Sequence, residues 1–192
     1  MRLFIKTSWW KIIKKLQHSS STLFLLLFSI FPHHHAVADE ALVDGVKAAF
    51  LFKFTSYVEW PPSAFMSTAT TLNICLVGSS DQFNTTLSKV VQGESIDGRR
   101  IMVSQIQAGE KISGCQILFI GSPDGQRSAA ILESVRGTPT LTVSNQPSEG
   151  IIGFLILNNR VRFNIDAVSA AENGLVISSR LMTLAVNVKR RE

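Results

Sequence analysis

Residues 72–91 read LNICLVGSSDQFNTTLSKVV. A short apolar run is followed by Gly78-Ser79-Ser80, and then by Phe83, Leu87, Val90 and Val91 at helical spacing. The first pattern is that of a strand buried on both faces, the last that of an amphipathic helix. The reading is a strand over Leu72–Val77 and a helix over Asp81–Val91.

The same grammar recurs downstream. CQILFI (115–120) precedes Gly121, a helical pattern covers Gln126–Val135 before Gly137, and Thr140–Ser144 reads as a strand. Ile101–Ile106 alternates as a strand does. Buried strands alternating with helices predict one α/β domain with a mostly parallel sheet flanked by helices. Only eight residues separate Ile106 from Cys115. That is short for a crossover, so strand order across 101–120 stays open.

A C-terminal antiparallel β-hairpin completes the fold class. IIGFLILNNRVRFNI (151–165) carries Asn158-Asn159 as a two-residue turn, a position where asparagine tolerates positive φ. Pairing across that turn sets Ile156 by Val161, Phe154 by Phe163 and Ile152 by Ile165, all six expected in the core. The other face carries Leu155, Leu157, Arg160, Arg162 and Asn164, either as ordinary solvated charge or as a partner surface. Asp166 is expected to cap a helix through Ala171 that ends at Asn173-Gly174. A brief strand follows at Leu175–Ile177. A last helix then turns Leu181, Leu184, Ala185 and Val188 inward, and Lys189-Arg190-Arg191 forms its solvated tail.

Upstream, Asp39–Trp60 reads as a helix stopped by Pro61-Pro62. Its core stripe is Val46, Phe50, Leu51, Phe54, Tyr57 and Val58, with Lys47 extending its head outward. Phe52 points away, beside Ala48, Thr55 and Glu59, and Trp60 also lies off the stripe. Either another part of the chain covers Phe52, or this is extra aromatic surface for a second subunit or partner. Lys53 and Glu59 make the run a poor membrane span.

Residues 1–38 have the three parts of a secretory signal peptide. Five basic residues (Arg2, Lys6, Lys11, Lys14, Lys15) open the chain, an apolar run covers Leu23–Phe31, and Ala36-Val37-Ala38 forms an A-x-A exit. The apolar run is too short to span a bilayer, which takes roughly 20 residues. An uncleaved signal-anchor is the alternative. Cleavage after Ala38 leaves 39–192 as one domain, in the periplasm, with no direct membrane insertion.

Cleavage changes the chemistry available. The precursor has 19 Lys+Arg against 14 Asp+Glu, and losing the five basic residues leaves the two signs balanced. A nucleic-acid surface is not supported. All four histidines (His18, His33, His34, His35) leave with the leader. Triads built on histidine and Cys/His zinc sites are then unavailable. No catalytic motif, metal set or cofactor is implied. The remaining cysteines, Cys75 and Cys115, either pair in an oxidising compartment or stay as buried thiols.

Carboxylate or lysine chemistry leaves an enzyme as a third class, and two functional classes lead. One is a small-ligand module using Gly78, Ser79, Ser80, Gly121 and Ser122, which follow two apolar strands and precede helices, where open parallel sheets hold ligands. The other rests on a resemblance. AAFLFKFTSYVEWP (48–61), NICLVG (73–78), DGRRIMV (97–103), CQILFIG (115–121), LNNRVRFNID (157–166) and GLVISSRLMTLA (174–185) resemble, in order, segments of the YfiR family, also described as YfiR/HmsC-like. The resemblance implies a periplasmic, non-enzymatic repressor. Its partner would be the periplasmic domain of a membrane diguanylate cyclase, with lower cyclic di-GMP and less biofilm as the result. It also implies dimers and a Cys75–Cys115 disulfide. The second cysteine pair that some members carry near the hairpin is missing here. From the facing argument, the expected partner surface is Phe52, Trp60, Leu155, Leu157, Arg160 and Arg162.

Overall fold

A computed structural model describes residues 35–65, 71–107, 109–121 and 124–190. In chain order the elements are α1 (His35–Phe54), β1 (Val58–Glu59), a 3₁₀ turn (Pro62–Ala64), β2 (Leu72–Val77), α2 (Asp81–Val91), β3 (Ser95–Ile96), β4 (Arg99–Gln105) and β5 (Ile117–Ile120). Then follow α3 (Gly125–Ser134), β6 (Leu141–Ser144), β7 (Ile152–Leu157), β8 (Arg160–Asp166), α4 (Ala167–Glu172), β9 (Val176–Ile177), α5 (Ser179–Leu184) and β10 (Val188–Lys189). Of the leader expected over residues 1–38, residues 1–34 lie outside the described residues, and His35–Ala38 belong to α1.

Eight strands form one sheet in the order β10-β8-β7-β6-β5-β2-β4-β3. Neighbours from β7 through β4 run parallel, and antiparallel pairs appear at β7–β8 and β4–β3. The chain leaves β2 for β4 through α2, then crosses back over β2 to β5. That crossover is the short connection noted above, and among its described residues there is no helix. Backbone bonds to β2 guide it: Ile106 N donates to Leu76 O (2.8 Å) and Gln116 N to Asn73 O (3.0 Å).

Alternation along the strands builds two apolar layers. Leu72, Ile74, Leu76, Ile117, Phe119, Leu141, Val143, Phe154 and Phe163 face α1, α2, α4 and α5. Cys75, Val77, Leu118 and Ile120 face α3, through Ile131 and Leu132, and the crossover, through Ile106 and Ile112. Phe54 is the hub of the larger layer, with ring centroids 6.0 Å from Phe50, 6.0 Å from Phe154 and 5.4 Å from Phe163. Such offset and edge-on contacts add to simple burial. On the other face Cys75 and Cys115 form a disulfide, with Cα atoms 5.7 Å apart, which removes the free-thiol alternative.

Several expectations need correction. Helix α1 ends at Phe54, not Trp60. The chain turns, with Thr55 Oγ1 donating to Phe52 O (2.5 Å), and Val58–Glu59 pairs antiparallel with Val176–Ile177. Because Tyr57 and Val58 are not helical, the stripe rotates. Ala48, Leu51, Phe54 and Thr55 are buried, while Val46 is exposed.

The hairpin register is as expected, with Asn158 and Asn159 at φ 51° and 56°. Ile156, however, is 53% exposed, because β7 runs past the end of β6. Asp166 caps α4 by accepting from Val168 N and Ser169 N. Helix α5 stops at Leu184, which is exposed. Val188 and Lys189 instead form β10 beside β8, and Lys189 pairs with Asp166 at 2.9 Å rather than trailing as a free tail.

Candidate interaction site

Strand β7 pairs with β6 only at Ile152 and Gly153, and β8 pairs with β10 only at Ile165 and Asp166. The segment from Phe154 to Phe163 therefore outruns its strand neighbours at the carboxyl edge of the sheet. Four residues of β7 beyond Gly153 reach about 13 Å. Ile156 and Leu157 are exposed at 53% and 44%, Leu155 is half-buried, and Arg160 and Arg162 are exposed.

The pairing sets Arg162 opposite Leu155 and Arg160 opposite Leu157. Each arginine stem thus stands beside a leucine with its head toward water. The turn after α5 flanks β8: Val186 N donates to Phe163 O (2.9 Å) and Arg162 Nη2 to Leu184 O (3.4 Å). This brings the exposed side chains of Leu184 and Val186 to the same ribbon. Four of the six residues expected on the partner surface are assembled here. Sequence reasoning missed Ile156, Leu184 and Val186: Ile156 and Leu184 read as core by apolar periodicity until the ends of neighbouring elements are known, and Val186 was given no role.

Phe52 and Trp60 do not join this ribbon. Phe52 is half-buried against the larger core, with Lys53 Nζ 5.1 Å from its ring centroid. Trp60 sits at the opposite, amino edge of the sheet, where its Nε1 donates to Gln116 O (3.2 Å). Gln116, itself buried, accepts from Asn73 N (2.8 Å) and donates to Ala64 O (2.6 Å). This knot holds the chain after β1 against the start of β5, and gives Trp60 an anchoring task.

The strand ends expected to hold a ligand lie side by side, after the parallel neighbours β2 and β5. Gly78 has φ 64°, and a Cβ at Gly121 would lie 2.9 Å from Ser79 Cα and 3.0 Å from Gly78 O. The two turns are in backbone contact. Ser80 caps α2 through Phe83 N, and Ser79 Oγ donates to Asn84 Oδ1 (2.6 Å). Asn84 continues to Gln105 Oε1 (2.9 Å). On the other side Asn145 Nδ2 donates to Gly121 O (3.1 Å), and Lys47 Nζ donates to Asn145 Oδ1 (2.9 Å). Burial lowers the Lys47 pKa, against the opposing charges of Asp44 and Glu40. These hydrogen bonds lace the carboxyl edge from α1 to β4 within the chain. Ser122 lies outside the described residues.

A family model described as YfiR/HmsC-like matches residues 44–186. The chain belongs to the YfiR/HmsC-like family. The match runs from within α1 to the turn after α5, so it takes in the whole sheet except β10. Among the described residues no helix is long and apolar enough to cross a membrane.

Proposed function

We propose that this YfiR/HmsC-like protein is a periplasmic regulator that represses a membrane diguanylate cyclase. It acts by contact with that enzyme's periplasmic domain, after leader cleavage behind Ala38. The observation that carries the reading is the ribbon of Leu155, Ile156, Leu157, Arg160 and Arg162, outrunning its strand neighbours in a member of this family. A protruding apolar strip with two guanidinium groups is suited to anchoring a protein partner, where aromatic, aliphatic and arginine side chains dominate the energy.

Repression needs preference, not strength alone. Moving a cyclase from 99:1 active to 99:1 inactive takes about 5.5 kcal/mol of differential affinity between its two states. A few desolvated apolar contacts and one arginine pair are of the right order for that difference. The small-ligand reading has less support, because Ser79, Ser80 and the Gly121 backbone already bond to Asn84, Phe83, Val77 and Asn145 within the chain.

The test is co-expression with a membrane diguanylate cyclase that has a periplasmic domain, with cyclic di-GMP as the readout. The native protein lowers the nucleotide. Arg160→Glu with Arg162→Glu keeps the melting temperature and loses the effect. Full repression by the folded double variant would refute the assignment of the ribbon.

A further inference from the structure

The far edge of the sheet holds a second surface, independent of the ribbon. Strand β3 covers β4 only at Arg99 and Arg100. Beyond them, among the described residues, the outer edge of β4 has no strand neighbour. The direction of its backbone groups follows from two bonds. Ile106 N donates inward to Leu76 O, and Ile101 N donates outward to Glu94 O. By strand alternation the amide and carbonyl of Val103 and Gln105 also face outward, away from β2. Unpaired edge groups of this kind are a template for an added strand.

The edge is also one wall of a groove. A cleft of about 640 Å³ runs between β4 and α2. Its apolar lining comes from Val91, Ile101, Met102 and Val103, with Met102 47% exposed. Two cations line it, Lys89 from α2 and Arg100 from β4, both exposed, and none of its eleven lining residues is acidic.

We infer that the β4 edge and the α2 groove bind an extended, acidic and apolar peptide segment of another protein by strand addition. Its backbone pairs with Val103 and Gln105, apolar side chains enter over Ile101 and Val103 on the α2 face beside Lys89, and carboxylates on the opposite face pass Met102 and meet Arg100. Main-chain pairing supplies the affinity and the charge supplies the selectivity. A second copy of this chain is the poorer occupant, because its own groove brings the same two cations and no acid.

The experiment uses amide hydrogen exchange and fluorescence anisotropy on the mature protein. The probe is a blocked octapeptide of alternating valine and glutamate. Controls are the valine–lysine counterpart and a glutamate version N-methylated at alternate amides. The expected result is binding of the first peptide alone, with new protection at Val103 and Gln105. Met102 and Ser104, whose amides face β2, stay unchanged. Lys89→Glu with Arg100→Glu, two exposed positions, weakens binding at least tenfold at an unchanged melting temperature. Four results would overturn the inference. They are no binding at millimolar peptide, equal binding of the lysine peptide, protection confined to the 154–163 ribbon, and concentration-dependent protection of Val103 and Gln105 without peptide, which would assign the edge to self-association.

Discussion

Replacing Cys75 and Cys115 together by alanine removes a crosslink that closes a loop with a sequence separation of 40. That loop contains α2, β3, β4 and the crossover. In the chain-entropy account, closing a loop of this length restricts the unfolded ensemble by about 3.9 kcal/mol at 25 °C. The native side loses little. Both cysteines are 3–4% exposed among Val77, Leu118, Ile120 and Val135. Ser104 Oγ, 3.7 Å from Cys75 Sγ, belongs to an exposed residue and can turn to water. Across the domain from Asp39 to Glu192, unfolding entropy near the midpoint is about 0.3 kcal/mol per degree. The expected fall in Tm is therefore about 12 °C. Urea titration checks the cause: a freer unfolded chain exposes more surface, so m rises as ΔG falls. A loss under about 1 kcal/mol with unchanged m would refute the reasoning.

Three other outcomes follow from single contacts. Gly153→Ala places a Cβ 2.5 Å from Gln146 O and 2.6 Å from the carbonyl carbon and oxygen of Pro147. It is expected to cost about 1–3 kcal/mol in chemical denaturation. Asn173 is buried, accepts from Gly137 N and donates to Thr140 O, both at 2.9 Å. Asn173→Ala leaves both partners unmatched and should cost about 2 kcal/mol by the same assay. Burial raises the Asp166 carboxyl pKa, but the hydrogen bond from Ser169 and the Lys189 ion pair outweigh it and leave the net value below the ordinary one. A depressed folded pKa gives stability that is present above the unfolded value, near 3.9, and is lost as pH falls through the folded one. Asp166→Asn should flatten that part of the acid limb in a stability–pH profile, and an unchanged limb would reject this account.

Much of the architecture was legible from local pattern. Apolar runs ending in Gly78 and Gly121 marked strands buried on both faces, and the Asn158-Asn159 turn fixed a hairpin register that the structure reproduces pair by pair. What failed depended on distant chain. Val58 and Val188 carry helix-compatible spacing, yet each is drawn into a two-residue strand by a partner more than 20 residues away. Asp97 and Gly98 have φ 50° and 75° between β3 and β4, and an Asp-Gly pair is a strong hairpin signal that was readable in advance. Of the site, the leucines and arginines of the ribbon follow from period-two alternation. Its reach beyond β6 depends on where β6 ends, which no local window contains.

The two faces of the sheet are secured unequally. Among the described residues, one is covered by four helices around a phenylalanine hub, the other by a single helix, the crossover and a sulfur link. A newly made chain in a thiol-rich cytoplasm lacks that link, so its thinner side stays loose while the aromatic side can already condense. Under the export proposed above, such delayed setting would keep the chain pliable during passage and harden it only on arrival.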